Sequence, residues 1–461
     1  MQRIAIIGGG LSGTLMAIRL LQCIGPRRID LVEKSPDVGL GAAYGTVFAE
    51  HLLNVPAQNM SLFPDLPLHF CQWLERHYPD TCQPDDFVPR LVFGKYVRET
   101  FQSALAGKPA GISLEIHQAQ AIGTSEKEDA VQIQLDNGDC ITADRVILAL
   151  GNPPPNNPVP VEAHWEAENR YVGNPWAAKG YDSVQSLQSI LLIGSGLTAL
   201  DFMAAAHRQG FRGVFHVVSS HGRFPLVHSL PVAEHTLARQ PDELAPATVR
   251  ELVRWFKCEL KLAHGDWRAV LQAFRPWVPL LWRRLPLSEK SLFNRRLGSL
   301  WNVHRHRAAG SVLALVGELE QAQQLFLHQG RVHSLEYLAH GMEICVRTHN
   351  QTRNLFAQRV VNCTGPCTDI EKNALHNPLL QSLLASGSIR TDALRMGMDA
   401  LPDGQLLDAQ GRPSAYYYTV GPPLKGVFFE CTAVPEIREQ AEKLAVLLSE
   451  ETFARASSAK F

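Results

Sequence analysis

Two glycine-rich turns, each entered from an apolar run, constrain the fold of this chain most strongly. The first turn has the sequence GGGLSG at residues 8–13 and follows the run IAII. The second has the sequence GSGLTA at residues 194–199 and follows the run ILLI. Such a turn between a buried strand and a helix is typical of dinucleotide-binding βαβ units, where the helix N-terminus holds the pyrophosphate. The sequence therefore predicts two dinucleotide sites, as a flavin reduced by a nicotinamide nucleotide requires.

In the first turn, each glycine has a separate physical task. Gly8 permits the tight turn, Gly10 lets the backbone approach the pyrophosphate, and Gly13 lets the helix pack on the strand. The next predicted strand, residues 29–33, ends in Glu33, whose carboxylate suits the ribose hydroxyls of FAD or NAD and disfavours a 2′-phosphate. A turn that merely joins strand to helix is the alternative. The candidate cofactor-binding residues here are Gly8, Gly10, Ser12, Gly13, Glu33 and Lys34.

The second turn has alanine, Ala199, at its third position, which the motif allows. The strand that follows, residues 213–218, carries no acid at its end and runs into the sequence SSHGR. The hydroxyl of Ser219 and the cation of Arg223 suit a 2′-phosphate, so NADPH is favoured over NADH, which stays possible. An Arg223 that is simply a solvated loop residue is the alternative. The candidate residues of this half are Gly194, Gly196, Thr198, Ser219 and Arg223.

Composition excludes several classes of function. The 461 residues give room for two or three domains, and 45% hydrophobic with 19% charged residues is ordinary for globular proteins. A formal net charge of −1 provides no field for nucleic acid or an anionic membrane. No apolar run approaches the roughly twenty residues of a membrane span, and the first strand begins at once, so a cytoplasmic location is expected. Nine cysteines without a CxxC pair predict neither a redox dithiol nor a metal site.

The order of motifs along the chain predicts an α/β fold with two Rossmann-like dinucleotide-binding domains, the FAD domain being discontinuous. Residues 145–151 form a predicted strand that ends in a glycine turn, and the proline-rich run at 153–160 suits a crossover. Residues 359–366 repeat the strand-into-glycine pattern, so the chain returns to the first domain. The predicted domains are 1–155 (FAD, first part), 156–360 (NAD(P)H, with a helical insert at about 225–325) and 361–461 (FAD, second part).

The two glycine turns that end these strands add cofactor-binding candidates, namely Gly151, Gly365 and Pro366. Cys363 and Cys367 flank the second of them, and we expect them to pack beside a flavin loop, with thiol reactivity as the lesser alternative. Near the C-terminus, Pro435 suits the first turn of a helix and Glu436 complements its dipole. An ordinary docking helix is the alternative to a cofactor role for that helix.

Five further segments resemble a known family. They are GLGAAYG at 39–45, HLLNVPA at 51–57, WNVHRHR at 301–307, VGPPLKG at 420–426 and FFECTAVPEIR at 428–438. With the two turns, they make nearly the whole chain similar to the bacterial FAD/NAD(P)-binding flavoprotein family that includes FAD-dependent urate hydroxylase and the nitrosuccinate-forming aspartate N-monooxygenase. The resemblance implies FAD, NADPH and oxygen insertion through a flavin C4a-hydroperoxide. Phe429 is a departure, because tryptophan is expected ahead of Glu430.

The resemblance also gives these segments roles. It implies that the helix near residue 434 points its positive end at the flavin pyrimidine, which adds Gly421, Pro435 and Glu436 to the candidates. Gly41 and Tyr44 are expected where backbone approaches the cofactor. Residues 54–56 are expected to be an extended strand near the isoalloxazine, although a buried turn with a self-satisfied asparagine is the competing interpretation.

Candidates for catalysis come from the same segments, although no catalytic acid or base is assigned. The basic run at 304–307 suits an NADPH phosphate or an anionic substrate, whereas a solvated helix face is the ordinary alternative. His221 and His228 could relay a proton, but a lone histidine is more often structural. The candidate catalytic residues are Asn54, Arg305, His306 and Glu430.

These expectations favour an FAD-dependent, NAD(P)H-driven monooxygenase that transfers one oxygen atom from O2 to a small polar substrate. Urate is the first choice of substrate, and the nitrogen of an amino acid such as aspartate is the runner-up. An NAD(P)H-dependent flavin reductase that passes electrons to a protein or quinone is the alternative enzyme, and a nucleotide-binding sensor without turnover is a third hypothesis. No nucleic acid or membrane partner is expected, and the oligomeric state stays undetermined.

Overall fold

A computed structural model of the chain describes residues 1–80, 82–229, 232–239, 241, 248–348 and 351–458. The strands are β1 (Gln2–Ile7), β2 (Arg27–Glu33), β3 (Ile112–Gln118), β4 (Ala121–Glu126), β5 (Val131–Leu135), β6 (Cys140–Ala143), β7 (Arg145–Leu148), β8 (Tyr171–Val172), β9 (Ser189–Ile193), β10 (Val214–Ser219), β11 (Leu325–Gln329), β12 (Arg331–Leu338), β13 (Gly341–Arg347), β14 (Thr352–Ala357), β15 (Arg359–Asn362), β16 (Gln405–Leu407) and β17 (Pro413–Thr419).

The helices lie between these strands and at the C-terminal end of the chain. They are α1 (Leu11–Gln22), α2 (Gly41–Tyr44), α3 (His69–His77), α4 (Arg90–Ala106), α5 (Ala163–Ala167), α6 (Leu197–Arg208), α7 (Val249–Leu262), α8 (Trp267–Phe274), α9 (Val278–Arg284), α10 (Leu287–Arg296), α11 (Gly298–Arg305), α12 (Gly310–Gln321), α13 (Ile370–Ala374), α14 (Pro378–Ala385), α15 (Lys425–Phe428) and α16 (Val434–Ser458).

The first sheet has six strands in the order β16-β17-β7-β1-β2-β3. Strand β1 lies between β2 and β7 and is parallel to both, with Ile4 opposite Ile29 and Arg145. Strand β17 is parallel to β7, so a segment near the C-terminus completes the sheet that the N-terminus begins. The FAD-type half of the fold is therefore discontinuous in sequence, as predicted.

The second sheet has five parallel strands in the order β11-β10-β9-β15-β8. Strand β9, which enters the second glycine turn, lies between β10 and β15. Because parallel strands are buried on both faces, β9 and β15 are almost wholly apolar, with Ile190, Leu191, Val360 and Val361 fully buried. An antiparallel meander accompanies each parallel sheet: β4–β6 the first sheet and β12–β14 the second.

Helix α1 packs between the first sheet and helices α4 and α16. Its residues Leu15, Met16 and Ile18 are buried with Leu444 and Leu448 of α16. That burial stabilises the helix that leaves the first turn and fixes where its N-terminus points. The opposite face of the sheet is covered by the meander β4–β6 and helix α14.

Six helices, α7–α12, lie between β10 and β11 and are here called the insert. They begin with a capping box, in which the side chain of Thr248 accepts from the backbone N–H of Glu251 and the Glu251 side chain accepts from the N–H of Thr248. Residues 230, 231, 240 and 242–247 of the predicted insert lie outside the described residues. In the described part of the chain, no helix is both long and apolar enough to cross a membrane.

Candidate functional site

Backbone packing at the first turn leaves no room for side chains where the helix leaves the strand. Gly8 has a φ of +102°, and a Cβ there would overlap the carbonyl oxygen of Ala149. A Cβ on Gly13 would overlap the carbonyl oxygen of Gly8. Gly10 lies opposite Gly41, whose Cα would be 3.4 Å from a Cβ on Gly10. Helix α1 also begins without a side-chain cap, so its first N–H groups suit a pyrophosphate, and these residues fit FAD.

Glu33 is held at the carboxyl end of β2 beside this turn. Its Oε2 accepts the N–H of Gly9 at 2.6 Å and its Oε1 accepts the N–H of Ser35 at 2.9 Å. These bonds fix the carboxylate while each oxygen keeps a further lone pair, which suits an adenosine ribose. Lys34 is exposed next to it. Tyr44 packs on Phe93 with ring centroids 4.8 Å apart, and burial raises its pKa to about 12.

The C-terminal segment meets the first turn at Ser12 and Gly421. Gly421 has a φ of +84°, and a Cβ there would overlap the Ser12 hydroxyl. The N–H of Gly421 donates to Oε1 of Gln440 on α16 at 2.8 Å. Helix α16 begins at Val434 and has Glu436 in its first turn. The first turn, Gly421 and the start of α16 are thereby brought together from distant parts of the sequence.

The second turn repeats the construction of the first. Gly194 has a φ of +109°, and a Cβ there would overlap the carbonyl oxygen of Cys363. Gly196 faces open space, and helix α6 begins without a side-chain cap. Cys363 therefore packs beside the nicotinamide-type turn, and the expectation that it packs beside a flavin loop was wrong. The cause is that β15, which precedes it, pairs with β9 in the second sheet.

Residues predicted to bind the 2′-phosphate lie beside the second turn. The hydroxyl of Ser195 donates to the backbone oxygen of Arg223 at 2.5 Å. The hydroxyl of Ser219 accepts the N–H of Gly222 at 3.0 Å, and the Arg223 side chain is exposed. Thr198 is the second residue of α6. The loop after β10 is thus fixed against the turn, with the exposed cationic side chain of Arg223 at its edge.

The two crossovers between the halves run side by side. The N–H of Cys367 donates to the oxygen of Pro154 at 3.3 Å, and Asn362 Nδ2 donates to the oxygen of Asn156 at 3.1 Å. Gly151 and Gly365, both at positive φ, face open space. Gly365 and Pro366 thus lie at the junction of the halves.

A buried ion pair that the sequence did not reveal joins the two halves. Arg90 Nη2 lies 3.1 Å from Oδ2 of Asp201, and its Nε donates to the oxygen of Leu52 at 3.1 Å. Burial raises the pKa of Asp201 to about 6, although Arg90 lowers it. His51 lies nearby, hydrogen-bonded to Thr46 Oγ1 at 2.7 Å, and burial lowers its pKa to about 3.

Asn54 lies in a bend, and the expectation of an extended strand at residues 54–56 was wrong. Leu52 forms a strand-like bridge with Pro89, and the chain then bends into the short 3-10 helix Ala57–Asn59 that follows Pro56. Asn54 does line a narrow cavity between the halves, together with Leu53, Leu197 of α6 and Ala308. Asn54 therefore lies near the start of α6, the helix that follows the second glycine turn.

The basic run at 304–307 is not a solvated helix face. Arg305 Nη2 lies 3.3 Å from Glu436 Oε1, and its Nε lies 3.4 Å from Glu430 Oε2. Arg275 of the insert also pairs with Glu436, at 2.9 Å. Burial raises the pKa of Glu436, but Arg275 and Arg305 outweigh it and lower the pKa overall. Burial lowers the pKa of His306, the next residue. Ion pairs from the insert thus hold the first turn of α16.

Aromatic rings reinforce this contact. Trp301 Nε1 donates to Glu430 Oε1 at 2.6 Å. Phe429 stacks on Trp282 of the insert with ring centroids 4.5 Å apart, and Phe293 meets it edge-on at 5.4 Å. Phe429 also has a φ of +64°. Phe429, which stands where tryptophan was expected, therefore places a buried ring where the insert packs on the C-terminal segment.

Comparisons with known proteins agree with this geometry. Residues 5–153 match the model of a family described as FAD-NAD(P)-binding. The L-aspartate N-monooxygenase (nitrosuccinate-forming) of Streptomyces davaonensis is 27% identical over 208 residues, 36% of this chain and 32% of that protein. The nitrosuccinic acid synthase of Aspergillus oryzae is 25% identical over 231 residues, 44% of this chain and 34% of that protein. The chain thus spans about a third of the length of these curated relatives.

One solved structure is similar to nearly the whole chain. The ornithine N-hydroxylase of Kutzneria sp. 744, with reduced FAD, NADP+ and L-ornithine, has a TM-score of 0.66 at 14% identity, covering 97% of this chain and 99% of that one. This likeness confirms the predicted fold with two dinucleotide-binding domains. The family match confirms the FAD-NAD(P)-binding character of the first part of the chain. None of these three proteins is named for urate.

Gly10→Val tests the placement of the flavin pyrophosphate. The branched side chain would fill the space between Gly10 and Gly41, so we expect the purified variant to retain no FAD. The measurement is flavin absorbance per mole of folded protein, with folding checked by circular dichroism. Gly317→Val is the matched control, since a Cβ at Gly317 meets nothing within 4 Å. A normal flavin spectrum in the folded Gly10→Val protein would refute the placement.

The pKa of Asp201 predicts a pH dependence of stability. Because it is raised in the folded chain, the stability that the protonated group contributes is complete below about pH 4 and is lost as the pH rises through 6. Relative to Asp201→Asn, the wild type should lose up to about 3 kcal/mol between pH 4 and 7.5. Thermal unfolding midpoints measure this, with exposed Asp129→Asn as control. A constant difference across that range would contradict the raised pKa.

Proposed function

We propose that this protein is an FAD-dependent, NAD(P)H-driven monooxygenase that hydroxylates the nitrogen of a small amino acid. The observation that carries the proposal is the closure of the insert on the first turn of α16 through Arg275, Arg305 and Glu436. That closure puts buried basic groups beside a helix N-terminus in the flavin-type half of the fold. The overall reaction is R–NH2 + O2 + NADPH + H+ → R–NHOH + H2O + NADP+.

Named residues would hold the two nucleotides. Gly8, Gly10, Gly13 and Glu33 suit the pyrophosphate and ribose of FAD, as argued from the space around them. The glycines and α6 of the second turn suit NAD(P)H in the same way. When bound, FAD supplies the oxygen-activating chemistry and NAD(P)H supplies the two electrons.

Helix α16 supplies electrostatic stabilisation. Its N-terminus carries the positive end of the dipole and favours negative charge that develops next to it. Glu436 lies in that first turn and would oppose this effect, but Arg275 and Arg305 hold and neutralise it. The insert thereby preserves a positive environment at the start of α16.

The insert also excludes water. Trp282, Phe293 and Trp301 pack around Phe429, and Trp282 Nε1 donates to the oxygen of Gly426 at 2.9 Å. A site shielded from water limits the unproductive release of hydrogen peroxide, and it strengthens the charge interactions inside it. This arrangement favours a monooxygenase over a simple reductase. All nine cysteines are free and none forms a CxxC pair, so disulfide reduction has no support.

One relative is named an L-aspartate N-monooxygenase and the solved structure is named an ornithine N-hydroxylase, and both names support the choice of amino-acid nitrogen over urate in this proposal. Urate, the first choice from the sequence, gains no support from them. The test is to mix purified FAD-loaded protein and NADPH with L-aspartate, L-glutamate, L-ornithine or urate, and to follow O2 uptake, hydrogen peroxide and hydroxylamine product. We expect one amino acid to accelerate NADPH oxidation and yield hydroxylamine in a one-to-one ratio. Peroxide alone with every compound would favour an oxidase or reductase.

Arg223→Ala tests the nucleotide preference. If the exposed guanidinium beside the second turn binds the 2′-phosphate, KM for NADPH should rise by a factor equivalent to about one to three kcal/mol, while KM for NADH stays constant. Steady-state NAD(P)H oxidation measures both values. Exposed Arg331→Ala, in the same half of the fold, is the control. Equal effects on the two nucleotides would remove the argument for NADPH.

A further inference from the structure

Arg307 is a buried cation that forms no ion pair with any of the residues that the structure describes. It follows α11 and is only 8% exposed, and its Nε and Nη1 atoms are buried without a hydrogen-bond partner. The next residue, Ala308, is fixed to the loop after β10, since it forms a bridge with Val227 and accepts the N–H of His228 at 2.8 Å. The position of Arg307 is thus imposed by the fold.

Arg268, near the start of α8, lies on the same indole ring. Its guanidinium carbon is 4.7 Å from the centroid of Trp267, and that of Arg307 is 5.9 Å from it. Arg268 Nε is also buried without a partner. Asp266, the nearest acid in sequence, accepts the backbone N–H groups of Arg268 and Ala269 as the cap of α8. Within the described ranges, neither guanidinium takes part in an ion pair, and Arg268 and Arg307 are here called the arginine pair.

The neighbouring charges do not compensate the arginine pair. Glu436 and Glu430 pair with Arg275 and Arg305, and in the described part of the chain neither carboxylate forms an ion pair with Arg268 or Arg307. Burial lowers the pKa of Arg307, and the nearby Arg268, Arg305 and Arg275 lower it further. Burying an uncompensated charge costs several kcal/mol, so such a group is expected where a ligand supplies the opposite charge.

His228 adds a neutral group on the same side. Its Nδ1 is buried without a partner, and burial lowers its pKa to about 4, with Arg307, Arg305 and Arg275 adding to the shift. At neutral pH it therefore offers one donor and one acceptor without further positive charge. Two guanidinium groups and a neutral imidazole suit an oxyanion, because guanidinium binds such groups through charge-assisted hydrogen bonds.

We propose that the arginine pair, with His228, binds a carboxylate of the substrate, and that the substrate is an acidic amino acid. The inference rests on the proposed function, because it names the substrate class of that reaction. Two uncompensated cations favour a ligand with two carboxylates and disfavour a side chain such as that of ornithine. A nucleotide phosphate shares this oxyanion chemistry, but the second turn has its own exposed cation in Arg223. Arg305, two residues earlier, connects the pair to the first turn of α16.

The first test needs no turnover. L-Aspartate, succinate and L-ornithine are added to FAD-loaded wild-type protein and to Arg307→Met and Arg268→Met variants, and unfolding midpoints are measured. Exposed Arg254→Met, also in the insert, is the control. We expect L-aspartate and succinate to raise the midpoint of the wild type and the control, and to do so weakly in both Met variants. Equal shifts in all four proteins, or a larger shift with L-ornithine, would overturn the proposal.

The second test uses turnover and separates the two proposals. With L-aspartate, Arg307→Met should raise KM for the amino acid roughly tenfold or more while kcat and KM for NADPH change little, and Arg307→Lys should recover part of the loss. A rise confined to KM for NADPH would assign the arginine pair to a nucleotide phosphate and overturn the proposal. Arginine-dependent midpoint shifts without hydroxylamine from any amino acid would leave the oxyanion site standing and refute the N-hydroxylation.

Discussion

The close approach of backbone to backbone at the two glycine turns is the constraint on which the rest of the fold depends. At Gly13 and at Gly194 there is no space for even one methyl group, because a carbonyl oxygen already occupies it. This contact lets each helix start directly above its own sheet, with its first N–H groups uncapped. The shape of each turn is therefore set by the backbone, and the nucleotide preference that we predict for Glu33 would be added to it by a side chain.

The junction between the halves depends on side chains far apart in sequence. Arg90 and Asp201 lie 111 positions apart, and both are largely buried. Burial outweighs the attraction of Arg90 and raises the pKa of Asp201. The ion pair therefore joins the two halves of the fold at a cost in desolvation free energy. Its geometric effect is clear, however, because Arg90 also holds Leu52 and so positions the bend that carries Asn54.

The sequence predicts features that depend on a local pattern, such as the glycine turns, better than contacts between residues that are far apart along the chain. Glycine spacing and apolar runs are local signals, so the positions of both turns, of Glu33 at the end of β2 and of the start of α16 at Val434 were predicted correctly, whereas the nucleotide contacts of these residues stay predictions. The environment of Cys363 was not, because strand order decides it and β15 pairs with β9. Residues 54 and 55 form a bend because the chain passes there from the bridge at Leu52 into the 3-10 helix Ala57–Asn59, which no local pattern indicates. No local pattern could have revealed Arg307 as buried, because a run of histidines and arginines has the same sequence whether water or protein surrounds it.

The insert carries the basic side chains on which the proposed substrate preference depends. The nucleotide turns belong to the two sheets, whereas Arg268, Arg275, Arg305 and Arg307 all belong to the insert or its end. Arg275 and Arg305 pair with Glu436 and Glu430, which attaches the insert to α16, whereas Arg268 and Arg307 form no ion pair with any residue that the structure describes. Changing the uncompensated pair would alter the charge preference without disturbing the attachment. If the two proposals hold, Arg268 and Arg307 would set the substrate specificity while Arg275 and Arg305 attach the insert, so the substrate class could vary while the nucleotide-binding turns stay constant.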